Sequence, residues 1–293
     1  MTAQSKFISG HTHLISLIGK PIRHSASPVT HSISFEKCGV DAVYLAFEVE
    51  PDDLADVTNA MRRMDGWDGS NVTMPCKQAI IPHLDGLSDA AELIGAVNVI
   101  QKTEGKKLIG HNSDGLGFMT NLRKHGVDPQ GATFTLLGPG GAGSAILVQA
   151  ALDGVAKLHV FARENGPSYC HTQTLLDPVR EKTGCDVQLH PFEDKEAMAA
   201  AIAESSVLIN ATNVGMGDEC TDTPVAAEMI TEGMVVADAV YHPLHTQLLQ
   251  DAEKKGCTIV TGIGMMNEQA AIGENIWYGI DMPIDEVTAE LNS

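Results

Sequence analysis

Basic side chains are scarce in this sequence: 19 lysines and arginines stand against 38 aspartates and glutamates, a formal net charge of −19. A surface of that sign repels phosphate backbones and anionic bilayers, which argues against nucleic acid or a membrane as the main partner. Long apolar runs are missing too: none approaches the ~18 residues of a membrane helix. The N-terminus lacks the basic region, apolar core and cleavage site of an export signal, so the cytoplasm is the expected compartment. The six cysteines (Cys38, Cys76, Cys170, Cys185, Cys220 and Cys257) form no C-x-x-C pair and no Cys/His group at zinc spacing. Reduced thiols and no metal are therefore expected. There is no internal repeat and no low-complexity tract. What remains is a globular chain of 293 residues, 43% hydrophobic and 19% charged, with room for about two cores.

The most informative stretch is Thr133 to Ala145, TFTLLGPGGAGSA. Thr133 to Leu137 reads as a short buried strand, Gly138 to Gly143 fits G-x-G-x-x-G, and Ser144 onward is a strong helix former. That order suits a dinucleotide pyrophosphate. Gly138 permits the tight turn, Gly140 lets the backbone approach the phosphates, and Gly143 allows close helix packing, while the helix N-terminus offers N–H groups and a positive dipole end.

Upstream, Leu14 to Gly19 reads as a strand. A loop follows, and then a helix from Val29, with Ser27 as its cap before Pro28. Ser25 has no such structural duty. Ala42 to Val49 is a second strand and Pro51 to Met64 a helix. Gly69 to Lys77 is a strand running into a proline-broken turn, which gathers Asn71, Thr73 and Lys77 near one strand end. Ala96–Gln101 and Leu108–His111 form a hairpin at the end of a mostly parallel sheet. Asp114 sits at the start of a helix, where capping is its structural alternative. Strands at 133–137, 157–162, 207–211, 234–240 and 258–261, alternating with helices, make a doubly wound parallel sheet. A last helix is read over 265–278.

HSASP (24–28), GSNVTMPCK (69–77), GAVNVI (95–100), NSDGLGF (112–118), GPGGAGSA (138–145), NATNVGM (210–216), DAVYHPLHTQLL (238–249) and GIGMMNEQAA (262–271) occur in order. Together they resemble the shikimate dehydrogenase family, which includes quinate/shikimate dehydrogenases. The resemblance implies an α/β protein of two domains. An N-terminal substrate domain with a mostly parallel sheet would comprise 1–114 plus 265–293, and a Rossmann-like NAD(P)-binding domain 115–264. It implies hydride transfer between nicotinamide and a cyclohexene or cyclohexane carboxylate, shikimate with 3-dehydroshikimate, quinate with 3-dehydroquinate or an amino-substituted relative of shikimate, either in aromatic amino acid biosynthesis with NADPH or in catabolism with NAD. A homodimer is the assembly it allows. Carried over residue by residue, Lys77 and Asp114 are the catalytic pair. Ser25, Ser27, Thr73, Asn98, Tyr241 and Gln269 are the substrate contacts. Gly138, Pro139, Gly140, Gly141, Ala142, Ala162, Arg163, Glu164, Ala239 and Gly262 line the cofactor.

These residue types suit the chemistry. Hydride transfer from a secondary alcohol needs a group that takes the hydroxyl proton, which a desolvated lysine can do while a nearby carboxylate holds the same hydroxyl. Two serines can both point at a carboxylate, and neutral amide and hydroxyl partners reject analogues lacking ring hydroxyls. His242 and His245 have no metal-ligand partners at useful spacing and read as structural or solvent-facing.

The sequence departs from the family in places. Phe161-Ala162-Arg163-Glu164-Asn165 stands where NADP users carry Asn-Arg-Thr and a further arginine. Arg163 can take a 2′-phosphate, but Glu164 repels one and can accept the 2′-hydroxyl of NAD. NAD is accordingly the favoured cofactor and NADP the alternative. NSD replaces NTD, AVNVI replaces AVNTI, and GMMNEQ replaces GMLVxQ, the last placing Glu268 beside Gln269, where a carboxylate alters which ring acid fits. Two other functions compete: a catalytically weak regulatory homologue that kept the binding site, and a methylene-tetrahydrofolate dehydrogenase, which the serine loop and the Asn98/Asp114 pair disfavour.

Overall fold

The computed structural model describes residues 8–217 and 219–291. The backbone separates into two units, one made by the chain up to Ser113 and from Ala270 onward, the other by Asp114–Gln269.

In the first unit β1 (His13–Gly19), α1 (Ser27–Cys38), β2 (Ala42–Glu48), α2 (Leu54–Arg63) and β3 (Trp67–Val72) alternate. The single turn α3 (Cys76–Ala79), the two-residue strand β4 (Gly86–Leu87) and α4 (Asp89–Ile94) lead to β5 (Val99–Lys102) and β6 (Leu108–His111). One six-stranded sheet results, in the order β2-β1-β3-β5-β6-β4. β1 is parallel to β2 and β3, whereas β5 is antiparallel to both β3 and β6. The expected hairpin is present, but β4 pairs outside it, parallel to β6. β1 packs into a core cluster on each face, Ile18 in one and Ile15 and Leu17 in the other, which is why it is apolar almost throughout. Ile18, Leu54, Met61 and Val72 share one core cluster with α2, while Ile15, Leu17, Phe35 and Tyr44 share another with α1. Ser88 caps α4 by accepting from the Ala91 N–H at 3.3 Å, as a serine in that position should.

The chain continues through α5 (Ser113–Lys124), β7 (Thr133–Leu137), α6 (Gly141–Leu152), β8 (Lys157–Ala162), α7 (Pro167–Thr183), β9 (Asp186–Pro191), α8 (Lys195–Glu204), β10 (Val207–Asn210), β11 (Val235–Asp238), α9 (Gln247–Lys254) and β12 (Thr258–Val260). It ends with α10 (Gly262–Tyr278) and α11 (Ile284–Leu291). The second unit's six strands are all parallel, in the order β12-β11-β10-β7-β8-β9. This is the doubly wound order, with the chain reversing direction between β7 and β10. From Gly143 to Ala151 every residue of α6 is buried, so this helix is a core element rather than an amphipathic one.

Beyond shifts of a few residues at element ends, the sequence reading is corrected at three points. β9, largely polar (DVQLHP), is held in the sheet by its pairing with β8 and not by an apolar pattern. α10 begins at Gly262 rather than Met265, so Gly262 is a helix start. Asp114 lies inside the first turn of α5, which begins at Ser113, and is therefore not the cap. Among the described residues no helix is long and apolar enough to cross a membrane, and no group of three His, Cys, Asp or Glu side chains could hold a metal. All six cysteines are free.

Candidate active site

In the first unit the candidate substrate residues share one edge of the sheet, the C-terminal end of the parallel strands β1 and β3. Gly19 closes β1 with φ +146°, and a Cβ there would lie 2.5 Å from Thr73 Cγ2 and 2.8 Å from the Met74 carbonyl oxygen. Only glycine lets the loop after β1 pass so close to the end of β3. That loop carries Ser25 and Ser27. The Ser25 Oγ accepts the Ser27 N–H at 3.2 Å, and α1 has Ala26 as its cap with no side-chain bond. The capping duty expected of Ser27 is thus partly met by Ser25, whose O–H remains a donor.

Thr73 follows β3, and its N–H donates to the Ile18 carbonyl at 2.9 Å. Lys77 is the second residue of α3, tied to the sheet through its carbonyl, which accepts from the Val97 N–H at 2.8 Å. Asn98 precedes the antiparallel strand β5 and so emerges at the same edge. Its Oδ1 accepts the Ser113 N–H at 2.8 Å and its Nδ2 donates to the Ser113 Oγ at 3.0 Å. The buried Asn98 therefore fixes the residue immediately before Asp114.

Behind this edge, Asn71 accepts from the Tyr44 hydroxyl at 2.6 Å and donates to the Asn98 carbonyl at 3.0 Å. Burial pushes the Tyr44 phenol up, partly offset by its hydrogen bond with the Ser27 hydroxyl, so it stays a neutral donor. Tyr44 was not a sequence candidate, because in the run AVYLAFE it reads as one more core residue. Only its contacts show that it links Ser27 to Asn71.

In the second unit Asp114 occupies the first turn of α5. One turn on, a Cβ at Gly117 would lie 2.7 Å from the Gln269 main-chain nitrogen, so the two backbones touch. Asp114 and Gly117 share a helix face, which puts Gln269 one turn from Asp114. Gln269 Nε2 donates to the Met266 carbonyl at 3.2 Å. Glu268, read as a carboxylate that alters which ring acid fits, is instead buried, with Lys124 of α5 as its ion-pair partner.

The glycine loop forms as its sequence requires. Gly138 has φ +82°, and a Cβ there would lie 2.4 Å from Thr212 Cγ2. Gly143 backs onto the Gly138 carbonyl, while an added Cβ at Gly140 or Gly141 meets nothing within 4 Å. Gly140 caps α6 without a side chain, and Ser144 Oγ donates to the Pro139 carbonyl at 3.1 Å, which steadies the turn through Ala142. Ala162 ends β8, and Arg163 and Glu164 follow it, both exposed.

Ala239 donates its N–H to the Asn210 carbonyl at 2.8 Å, and a Cβ on Gly262 would meet the Ala239 and Val240 carbonyls at 2.7 and 2.5 Å. Both therefore belong to one backbone junction. Tyr241 and the two histidines after it, His242 and His245, are exposed. The loop that bears them is organised by Asp238, which sequence reasoning did not single out. Fully buried, it accepts from Asn210 Nδ2 at 2.9 Å, Thr246 Oγ1 at 2.7 Å and the Val240 N–H at 2.9 Å. Burial raises its carboxyl above the usual range and these three donors oppose the rise.

Comparison with known proteins gives the family. The model of the shikimate dehydrogenase substrate binding domain matches residues 17–100. A Listeria monocytogenes protein named shikimate dehydrogenase (NADP(+)) is 44% identical over 283 residues, 96% of each chain. The crystal structure of shikimate 5-dehydrogenase from Listeria monocytogenes, in complex with shikimate and NAD, matches with a TM-score of 0.94 at 43% identity, over 98% of this chain and 99% of that one. The 5-ketofructose reductase of a Gluconobacter species matches with a TM-score of 0.85 at 31% identity, over 97% and 99%. With the ordered motifs, the doubly wound sheet and identity of this level along nearly the whole length, the chain belongs to the shikimate dehydrogenase family.

Proposed function

We propose that this chain catalyses the reversible oxidation of shikimate to 3-dehydroshikimate with a nicotinamide dinucleotide, NADP being preferred. The observation that carries the reading is the gathering of Ser25, Ser27, Thr73, Lys77 and Asn98 at one edge of the first unit's sheet, in a chain whose relatives are named shikimate dehydrogenase (NADP(+)). Those names also favour NADP over the NAD preference suggested by Glu164, with Arg163 as the cation for the 2′-phosphate. The NAD in the similar Listeria structure supports NAD as a weaker second cofactor.

The second unit fits a dinucleotide: the open positions at Gly140 and Gly141 and the N-terminus of α6 suit a pyrophosphate. When bound, the dinucleotide supplies the hydride acceptor. Oxidation of the ring carbinol would pass its C–H as a hydride to that acceptor and release its O–H as a proton, leaving the ketone, and this chain's residues must take the proton. Lys77 Nζ takes that proton and the Asp114 carboxylate accepts a hydrogen bond from the same hydroxyl, orienting it. Ser25 and Ser27 donate to the ring carboxylate, each such charge-assisted bond being typically worth ~1.5–3 kcal/mol. Thr73, Asn98 and Gln269 offer neutral partners to the ring hydroxyls, and Tyr241 is a further ring contact.

The test follows the absorbance of reduced nicotinamide with shikimate, quinate and 5-ketofructose as substrates. Turnover with shikimate is expected. Turnover of 5-ketofructose with neither ring acid accepted would overturn the reading. Lys77→Ala should lower kcat by ~10²-fold or more while shikimate still binds, and a variant with normal kcat would remove Lys77 from the mechanism.

A further inference from the structure

One face of α5 grips the start of α10. Gly117, Asn121 and Lys124 follow at spacings of four and three and so form a stripe along α5. Each meets α10 or the residue just before it in a different way. Gly117 lets the Gln269 backbone approach, with a notional Cβ 2.7 Å from its nitrogen and 3.0 Å from its Cα. Asn121 Nδ2 donates to the Thr261 carbonyl at 3.2 Å, and its side chain fills the space that a Cβ on Gly264 would need. Lys124 forms the ion pair with Glu268. The Glu268 side chain is only 10% exposed, whereas that of Lys124 is 57% exposed, so the pair anchors a buried carboxylate to a surface cation.

From these contacts we infer that Lys124 and Glu268 are positioning residues for Gln269. Neighbours on a helix point about 100° apart around its axis. Holding Glu268 against α5 therefore fixes the rotation of the turn that presents Gln269, and Gly117 fixes its distance from α5. The two charges meet each other. Without Lys124 the buried Glu268 carboxylate loses its counter-charge, and it regains solvation only by turning toward water. That rotation carries Gln269 away from the bearing set by Gly117.

The inference rests on the reading of Gln269 as a ring contact, and the experiment separates the two. Wild type, Lys124→Glu, Glu268→Lys and the double charge swap are made with and without Gln269→Ala, and KM for shikimate, KM for the dinucleotide, kcat and thermal stability are measured. Lys124→Glu should raise KM for shikimate about fivefold to tenfold, the scale of one lost neutral hydrogen bond, with KM for the dinucleotide unchanged. The double swap should restore it to within about twofold, and in the Gln269→Ala background Lys124→Glu should add nothing. Lys124→Met, which removes the charge without adding repulsion, should move KM the same way by less. A raised KM in Gln269→Ala with a wild-type KM in Lys124→Glu and Lys124→Met would overturn the positioning role alone, whatever happens to thermal stability. A wild-type KM in Gln269→Ala would overturn the assignment of Gln269 itself.

Discussion

Two glycines of the same motif should respond to alanine differently, one in stability and the other in dinucleotide binding. At Gly143 an added Cβ would lie 2.2 Å from the Gly138 carbonyl oxygen and 3.0 Å from its carbon. That neighbour is backbone, fixed in turn by the Gly138 N–H bond to the Phe161 carbonyl at 2.9 Å, so it cannot swing aside as a side chain would. Alanine gains ~0.8–1 kcal/mol over glycine inside a helix, but overpacking typically costs ~1–3 kcal/mol and here falls on main chain. The net for Gly143→Ala is a loss of about 1–2 kcal/mol, or a fall in Tm of roughly 2–8 °C.

At Gly140 the φ of −72° is one that any residue adopts, and the new Cβ meets nothing within 4 Å. Alanine is a poorer cap by ~1 kcal/mol, and it recovers ~0.4–1 kcal/mol by restricting the unfolded chain. Stability should therefore stay within about 0.5 kcal/mol of wild type. Its open space is where a pyrophosphate would lie, so Gly140→Ala should weaken dinucleotide binding by roughly tenfold or more, about 1.4 kcal/mol. Thermal unfolding with and without dinucleotide, and fluorescence titration of the reduced form, read both quantities. A Gly140→Ala protein with wild-type dinucleotide affinity would refute the phosphate cradle, and a Gly143→Ala protein of wild-type stability would refute the close-approach argument.

Asp238→Ala orphans three buried donors, from Asn210, Thr246 and Val240. At ~1–3 kcal/mol for each unsatisfied group, less the carboxylate burial that is relieved, the expected loss is about 3 kcal/mol, read as a fall of roughly 6–12 °C in Tm; a fall under ~2 °C would show the loop does not depend on Asp238. His111 is held neutral because burial lowers its pKa below the ordinary 6.5, and its Nε2 has no hydrogen-bond partner among the described residues. The unfolded chain takes up that proton first, so this contribution to stability is lost as pH falls below about 6.5. Denaturant titrations should show His111→Phe losing less stability than wild type between neutral and mildly acidic pH, and parallel losses would exclude His111 as the cause. Glu164→Ala should raise kcat/KM for NADP relative to NAD and Arg163→Ala should lower it, with unchanged ratios in steady-state assays counting against both residues.

Local chemistry carried much of this protein in its sequence. Thr133–Leu137 and Lys157–Ala162 form strands with the ends expected of them, since an apolar run stopped by glycine or by charge has few other uses. The positive φ at Gly138 and the Ser88 cap follow equally from residue type. Short-range rules could not reach groups whose partners are far along the chain. Tyr44 reads as core and Asp238 as one residue of a strand, and only the sheet order brings Tyr44 to Asn71 and Asp238 to Asn210. β9 exists because β8 offers it an edge. Glu268 looked like a selector because its neighbour Gln269 does. Folding decided otherwise, setting Lys124 beside it from 144 residues away, because a buried carboxylate needs a cation or several hydrogen-bond donors to replace its lost water.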